Sequence, residues 1–160
     1  MKVHAIFEGR TEEKVLNRLE RLADCSFELT PSDGKNKMRK TIVGLIGPLI
    51  GSGPIRVVIL RDLDHDETID QVVQRTTDAL KQAFEGRNPS VVPQLDRLDD
   101  NVYVWRSADD LDIRVALHIA TYRWNKAFIK TKIDDYILST KHSVATRYSH
   151  SSCPTSRDYW

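Results

Sequence analysis

An apolar run at residues 55–60, Ile-Arg-Val-Val-Ile-Leu, passes straight into Asp62, Asp64 and Asp66, and this junction constrains the fold more than any other stretch. The run follows Gly51-Ser52-Gly53-Pro54 and is rich in β-branched residues, so it reads as a buried strand. The acids then fall where the strand ends and the chain meets solvent. Carboxylates at alternating positions repel one another. A fold tolerates them together at low cost only where water, a basic partner or a cation takes up the charge.

The flanking segments alternate in type. Residues 2–7 form a short β-type run with Val3, Ala5 and Phe7 on one face and His4 and Ile6 on the other. It stops at Glu8-Gly9, a tight turn, and Thr11 is placed to cap a helix whose first turn holds Glu12 and Glu13. Val15, Leu16, Leu19, Leu22 and Ala23 recur at helical spacing behind them. Residues 26–30 give a second strand, and Pro31-Ser32-Asp33-Gly34 a turn. The basic stretch Lys35, Lys37, Arg39 and Lys40 opens a helix over 36–47, weakened by Gly44, Gly47 and Pro48. After the acids, Thr68 and Gln71 have the spacing of a capping box. Ile69, Val72, Val73, Thr76, Leu80, Ala83 and Phe84 share one face of the long helix that follows, and 86–93 form a loop. Residues 95–100 are polar and ambiguous, and 102–105 form a fourth strand. Residues 111–128 are expected to be helical with Ile113, Ala116, Leu117, Ala120, Trp124 and Phe128 inward, and a last short helix covers 132–138.

A chain of 160 residues fits one domain. The α/β unit is expected over 1–138. The remainder, 139–160, loses apolar periodicity, is rich in Ser, Thr and His, and reads either as a loosely ordered tail or as a segment that docks on a partner. A formal net charge of +1 argues against a globally basic nucleic-acid binder, though the 35–40 stretch leaves a local basic patch. No apolar run approaches membrane-spanning length, and the N-terminal segment is too short and polar for a signal peptide. Cys25 and Cys153 have no metal-ligand spacing, which fits a reduced cytoplasmic protein.

Strands alternating with helices predict an α/β fold: a Rossmann-like three-layer sandwich, with a mostly parallel sheet of about four strands and helices on both faces. Ligands in such folds sit outside the carboxyl ends of the strands, where strand order reverses. If the first and third strands are neighbours there, as in a 2-1-3-4 order, Glu8 and Glu12 face Asp62, Asp64 and Asp66 across one crevice. The cluster is all oxygen apart from the adjacent His65, which suits Mg²⁺ or Mn²⁺ over zinc. Such a metal neutralises phosphate charge and activates water, a nearby Glu moves a proton, and Arg10 and Arg61 are placed to hold a phosphate. The natural reaction class is phosphodiester cleavage or transfer.

Phe7-Glu8-Gly9-Arg10-Thr11-Glu12 with a helix following, and later an apolar strand ending in Asp62-Leu63-Asp64, resemble the Toprim domain. Topoisomerases, bacterial primases, RecR-type repair proteins, a ribosomal RNA maturase and OLD-type nucleases share that domain. The resemblance covers residues 2–105. It implies that Glu8 acts as general acid/base and that Asp62 and Asp64 bind Mg²⁺. Glu12 matches the extra acid of the OLD-like nucleases. His65-Asp66-Glu67 stand where topoisomerase-like members often carry a glycine. The implied function is a Mg²⁺-dependent protein acting on nucleic acid, with a protein partner or homo-oligomer as a further expectation; the alternative is a non-catalytic Toprim-like module within a repair or defence complex.

Plainer readings stand beside these. Asp66 also suits the approach to the helix cap at Thr68, Glu12 suits any first helical turn, and Arg10 and Arg61 suit salt bridges. The 35–40 basic stretch suits a solvated face, His65 the surface, Trp105, Tyr122 and Trp124 a core or interface, and Asp109-Asp110 a helix start. An EF-hand is excluded, because Glu67 occupies its glycine position and Val73 its bidentate acid position. Residues 64–68 also fit the Asp-x-Asp-x-Thr signature of HAD-type phosphatases, but the strand comes late and Glu8 would go unused; this remains a minor alternative.

Overall fold

In the computed structural model, residues 2–22, 25–85, 94–107 and 112–121 are described. The chain runs β1 (Lys2–Phe7), α1 (Arg10–Glu20), β2 (Ser26–Pro31), α2 (Lys35–Leu49), β3 (Ile55–Asp62), α3 (Ile69–Glu85), β4 (Gln94–Asp99), β5 (Val102–Arg106) and β6 (Ile113–Ala120). The strands form one mixed sheet in the order β2-β1-β3-β6-β5-β4. β2, β1, β3 and β6 run parallel; at one edge β5 pairs antiparallel with β6, and β4 pairs antiparallel with β5. The fold is therefore α/β, with six strands in the sheet among the described residues rather than about four. β1 and β3 are neighbours, as the 2-1-3 part of the expected order requires, but β6 takes the place next to β3.

Alternation along the strands sorts the core into two layers. Ile55, Val57 and Ile59 of β3 are buried with Ile6 against Met38, Ile42 and Ile46 of α2 and Val72, Leu80 and Phe84 of α3. On the opposite face Ala5 and Phe7 pack with Leu16 of α1, flanked by Val58 and Leu60. At about 25 cal/mol per Å² of apolar surface, the larger layer supplies most of the stabilisation. Trp105 is fully buried in it, and its indole N–H donates to Thr77 Oγ1 at 3.2 Å, as a core tryptophan requires.

Residues 113–120 form a strand, not part of a helix, and this corrects the expectation for 111–128. Ile113, Ala116, Leu117 and Ala120 do lie at helical spacing. The same stretch also alternates, with Ile113, Val115, Leu117 and Ile119 all buried and Arg114 exposed. The β-branched residues and the open edge of β3 select the alternating period: Ile55 through Asp62 pair one-to-one with Ile113 through Ala120. Residues 94–99 form β4, exposed along its whole length, which is why no burial pattern marked it.

Helix boundaries also differ. α1 starts at Arg10 with Gly9 as N-cap and no side-chain cap, so Thr11 lies inside it. α1 buries only Glu12 and Leu16, whereas Leu19 and Leu22 are exposed. α2 runs past Gly47 through Pro48 to Leu49, held by the buried Met38, Ile42 and Ile46. The capping box forms as expected: the Thr68 N–H donates to Gln71 Oε1 at 3.0 Å, and the Gln71 N–H to Thr68 Oγ1 at 3.2 Å. No helix among the described residues is long and apolar enough to cross a membrane. The loop expected at 86–93, the helix at 132–138, the tail from 139, and Asp109, Asp110, Tyr122, Trp124, Phe128 and Cys153 lie outside the described residues.

Candidate functional site

The parallel pairing of β1 with β3 matches Ile6 to Ile59, so the chain leaves both strands at the same edge of the sheet. Glu8 follows β1 there, and Arg61 is the last inward residue of β3. Positions 55, 57, 59 and 61 are all buried, so Arg61 continues an apolar series that ends in a charge. Arg61 is 5% exposed and needs anions within reach. One lies at Glu67, whose carboxylate accepts two hydrogen bonds from Arg61 Nη2 at 2.7 and 2.9 Å. The same carboxylate pairs with Arg75 from α3. The other is Glu8, whose Oε1 is 3.6 Å from Arg61 Nε. That distance is too long for a hydrogen bond, and both atoms are buried without one.

Glu8 is thus a half-buried carboxylate held by charge alone. Desolvation raises its pKa above the ordinary carboxylate value. Arg61 opposes the rise, while Asp64, Glu12 and Glu67 add to it. Glu12, one turn into α1, is buried, and a Cβ added at Gly9 would come within 3.2 Å of its Oε2. Gly9 itself is extended backbone with φ of −146°, not the glycine-only turn conformation, so a side chain here would meet only the tip of Glu12.

The carboxylates after β3 divide by environment. Asp62 continues the half-buried series of Val58 and Leu60, on the face opposite Arg61. Asp64 is buried and takes an ion pair from Lys35 Nζ at 2.7 Å. Asp66 is exposed and 3.5 Å from the same ammonium. Its own backbone N–H, then Lys35 and His65, hold Asp66 below the usual carboxylate range. Lys35 is raised in turn, chiefly by its hydrogen bond to Asp64.

The structure thus brings Glu8, Glu12, Asp64 and Arg61 into one electrostatic neighbourhood, with Asp66 at the rim. Arg10 is exposed at the start of α1, with no salt bridge among the described residues. Among the described residues no three of His, Cys, Asp or Glu are grouped so as to hold a metal ion. The oxygens here are of the type a hard divalent cation takes, but Asp64 is already paired with Lys35 and Glu8 Oε1 faces Arg61.

Three residues of this network were not singled out as site residues from sequence. Lys35 read as part of a solvated basic face, and only its inward turn onto Asp64 gives it a role. In the sequence Glu67 stands out only as the acid that breaks an EF-hand's glycine position, yet it is clamped between two arginines. Arg75 carries no sequence signal of its own. One signal was available: Arg61 shares parity with the buried residues of β3, so an inward arginine had to find an acid nearby. Comparison with protein-family models, with curated proteins and with solved structures gave no match.

Proposed function

We propose that this chain is a Toprim-like, Mg²⁺- or Mn²⁺-dependent protein acting on nucleic-acid phosphodiesters, with Glu8 as the proton-transferring group. The single observation that carries the reading is Glu8 itself. It is a half-buried carboxylate raised above its ordinary pKa, with an oxygen that lacks a hydrogen bond, at the tip of a strand that runs parallel to β3. A carboxyl shifted toward neutral pH at the carboxyl end of a parallel sheet suits general acid/base work. Asp62 and Asp64 are the metal ligands of this reading, with Glu12 adding a third carboxylate and Asp66 the most dispensable. When bound, the cation supplies charge neutralisation for a phosphate and an acidified water. Arg61 holds Glu8 in place from the inner side, and Lys35 balances Asp64.

The test is direct. Mn²⁺ binding by titration calorimetry and cleavage of labelled DNA and RNA are compared for wild type, Glu8→Gln and the Asp62→Ala, Asp64→Ala double variant. Glu8→Gln is expected to keep metal binding and lose cleavage by about 10²–10⁴-fold, the usual worth of a general acid/base. The double variant is expected to lose metal. A wild type that neither binds metal nor differs from the double variant ends the proposal.

A second reading, a non-catalytic docking module, draws on one specific observation. Lys35, Arg61 and Arg75 already compensate Asp64, Glu8 and Glu67 without any metal. On that reading a stable complex with a partner or nucleic acid persists unchanged in Glu8→Gln. The phosphatase alternative makes Asp64 a nucleophile and leaves Glu8 unexplained.

A further inference from the structure

Lys35 and Arg61 both answer carboxylates at the strand tips, but they are held in different ways. Arg61 is 5% exposed, and its Nη2 donates to both oxygens of Glu67 at 2.7 and 2.9 Å. Its departure would strand a buried charge, so it is a fixed part of the fold. Lys35 reaches the site from the start of α2. Its Nζ lies 2.7 Å from Asp64 Oδ2 and 3.5 Å from Asp66 Oδ1, so one ammonium bridges two of the candidate metal ligands. The Lys35 side chain is 33% exposed, against 9% for Asp64. A lysine carries a compact, strongly hydrated charge on a flexible stem, so Lys35 can turn into water without any movement of α2.

Nothing within α2 favours a lysine at this position. The first turn holds no acid, and the positive end of the helix dipole opposes an ammonium there. Asp33 and Gly34, with φ of 55° and 101°, turn the chain from β2 into α2 and deliver Lys35 to the strand tips. The lysine is accounted for by Asp64, a buried carboxylate that needs a cation.

We propose that Lys35 is a tethered counter-ion that takes the cation position on Asp64 and competes with a divalent cation for it. Lys35 must leave Asp64 before Asp64 serves as a metal ligand. The metal-free protein thus holds its own acids together, and its metal affinity is set in part by a lysine of α2. The inference rests on the metal reading above and deepens it, since it names the group that a metal ion displaces. Arg61 stays in place throughout, because its partners are Glu67 and Glu8.

The test is Mn²⁺ binding by titration calorimetry at neutral pH on wild type, Lys35→Met and Lys37→Met. Lys37, on the same turn of α2, pairs with Asp33 at 3.6 Å, so Lys37→Met removes the same charge without releasing Asp64. Occupancy of Asp64 by Lys35 for about nine-tenths of the time makes its removal worth about tenfold in Mn²⁺ affinity, and that gain is expected in Lys35→Met. Lys37→Met is expected to change affinity less than about twofold. Thermal melts give a second readout. In EDTA, Lys35→Met is expected to melt below wild type, because Asp64 is left buried without its ammonium, and Mn²⁺ is expected to raise its Tm more than that of wild type. A Lys35→Met affinity no tighter than that of Lys37→Met, a smaller Mn²⁺-induced rise in Tm than in wild type, or failure of Lys35→Met to bind Mn²⁺ overturns the proposal. Tighter Mn²⁺ binding by Lys35→Met, with no nucleic-acid cleavage by wild type or variant, upholds this inference and ends the catalytic reading. Cleavage by wild type, with equal Mn²⁺ affinity in the two lysine variants, does the reverse.

Discussion

The strand-tip region and the β4–β5 hairpin both carry arginine–carboxylate pairs, but they use them in opposite ways. At the tips, Arg61 and Glu67 are buried, with side chains 5% and 2% exposed, and each oxygen of Glu67 is engaged. In the hairpin, Arg97 meets Asp100 at a similar 2.7 Å, but the two side chains are 59% and 95% exposed. Similar distance, different worth: water screens the second pair and competes for both partners, whereas the first has lost that alternative. The difference teaches that charge is spent structurally at the tips and only decorates the hairpin.

The sharpest way to break this comparison is Glu67→Ala. It leaves Arg61 buried with only the distant Glu8 oxygen, and a loss of about 3–5 kcal/mol is expected in urea unfolding. Replacing both partners, Arg61→Met with Glu67→Leu, is expected to recover most of that loss, because no uncompensated charge remains.

A second test uses pH, and the two regions respond with opposite signs. Glu8 binds its proton more tightly folded than unfolded, so it costs stability as pH rises from near its ordinary 4.5 through its raised folded value. Glu8→Gln is expected to flatten that fall and to raise Tm at neutral pH in metal-free buffer. His118 of β6, beside the hairpin, is lowered from 6.5 by desolvation, so the unfolded chain binds more protons and stability falls as pH drops below that value. His118→Asn is expected to flatten the acid side only. Thermal melts from pH 4 to 8 check both.

The smallest effect is expected at Arg97→Ala. An exposed pair of this kind contributes about 0–1 kcal/mol, so a larger loss would show that the hairpin charges are structural after all.

Much of the parallel half was legible in the sequence. Gly51-Ser52-Gly53-Pro54, the β-branched run and the Thr68/Gln71 box are local signals, and β3 and α3 form where those signals stand. Glu8 was legible as well, because a glutamate between a strand and a helix is a local pattern. What it touches was not. From residue 113 onward, Ala116 and Ala120 complete a helical spacing beside the alternating Ile113, Val115, Leu117 and Ile119, and the choice depends on whether an open edge of β3 awaits a partner.

The aspartates show the same division on the smallest scale. Spacing alone made Asp62, Asp64 and Asp66 equivalent oxygens after a strand. Tertiary structure made them three different residues: Asp62 on the α1 face, Asp64 buried on Lys35, and Asp66 in solvent. By itself the sequence determined that a buried strand must end in negative charge, since apolar pattern and charge are properties of neighbours along the chain. Only the tertiary structure decided which cations answer that charge, because Lys35, Arg61 and Arg75 arrive from three separate elements and the worth of each pair depends on the water that packing removes.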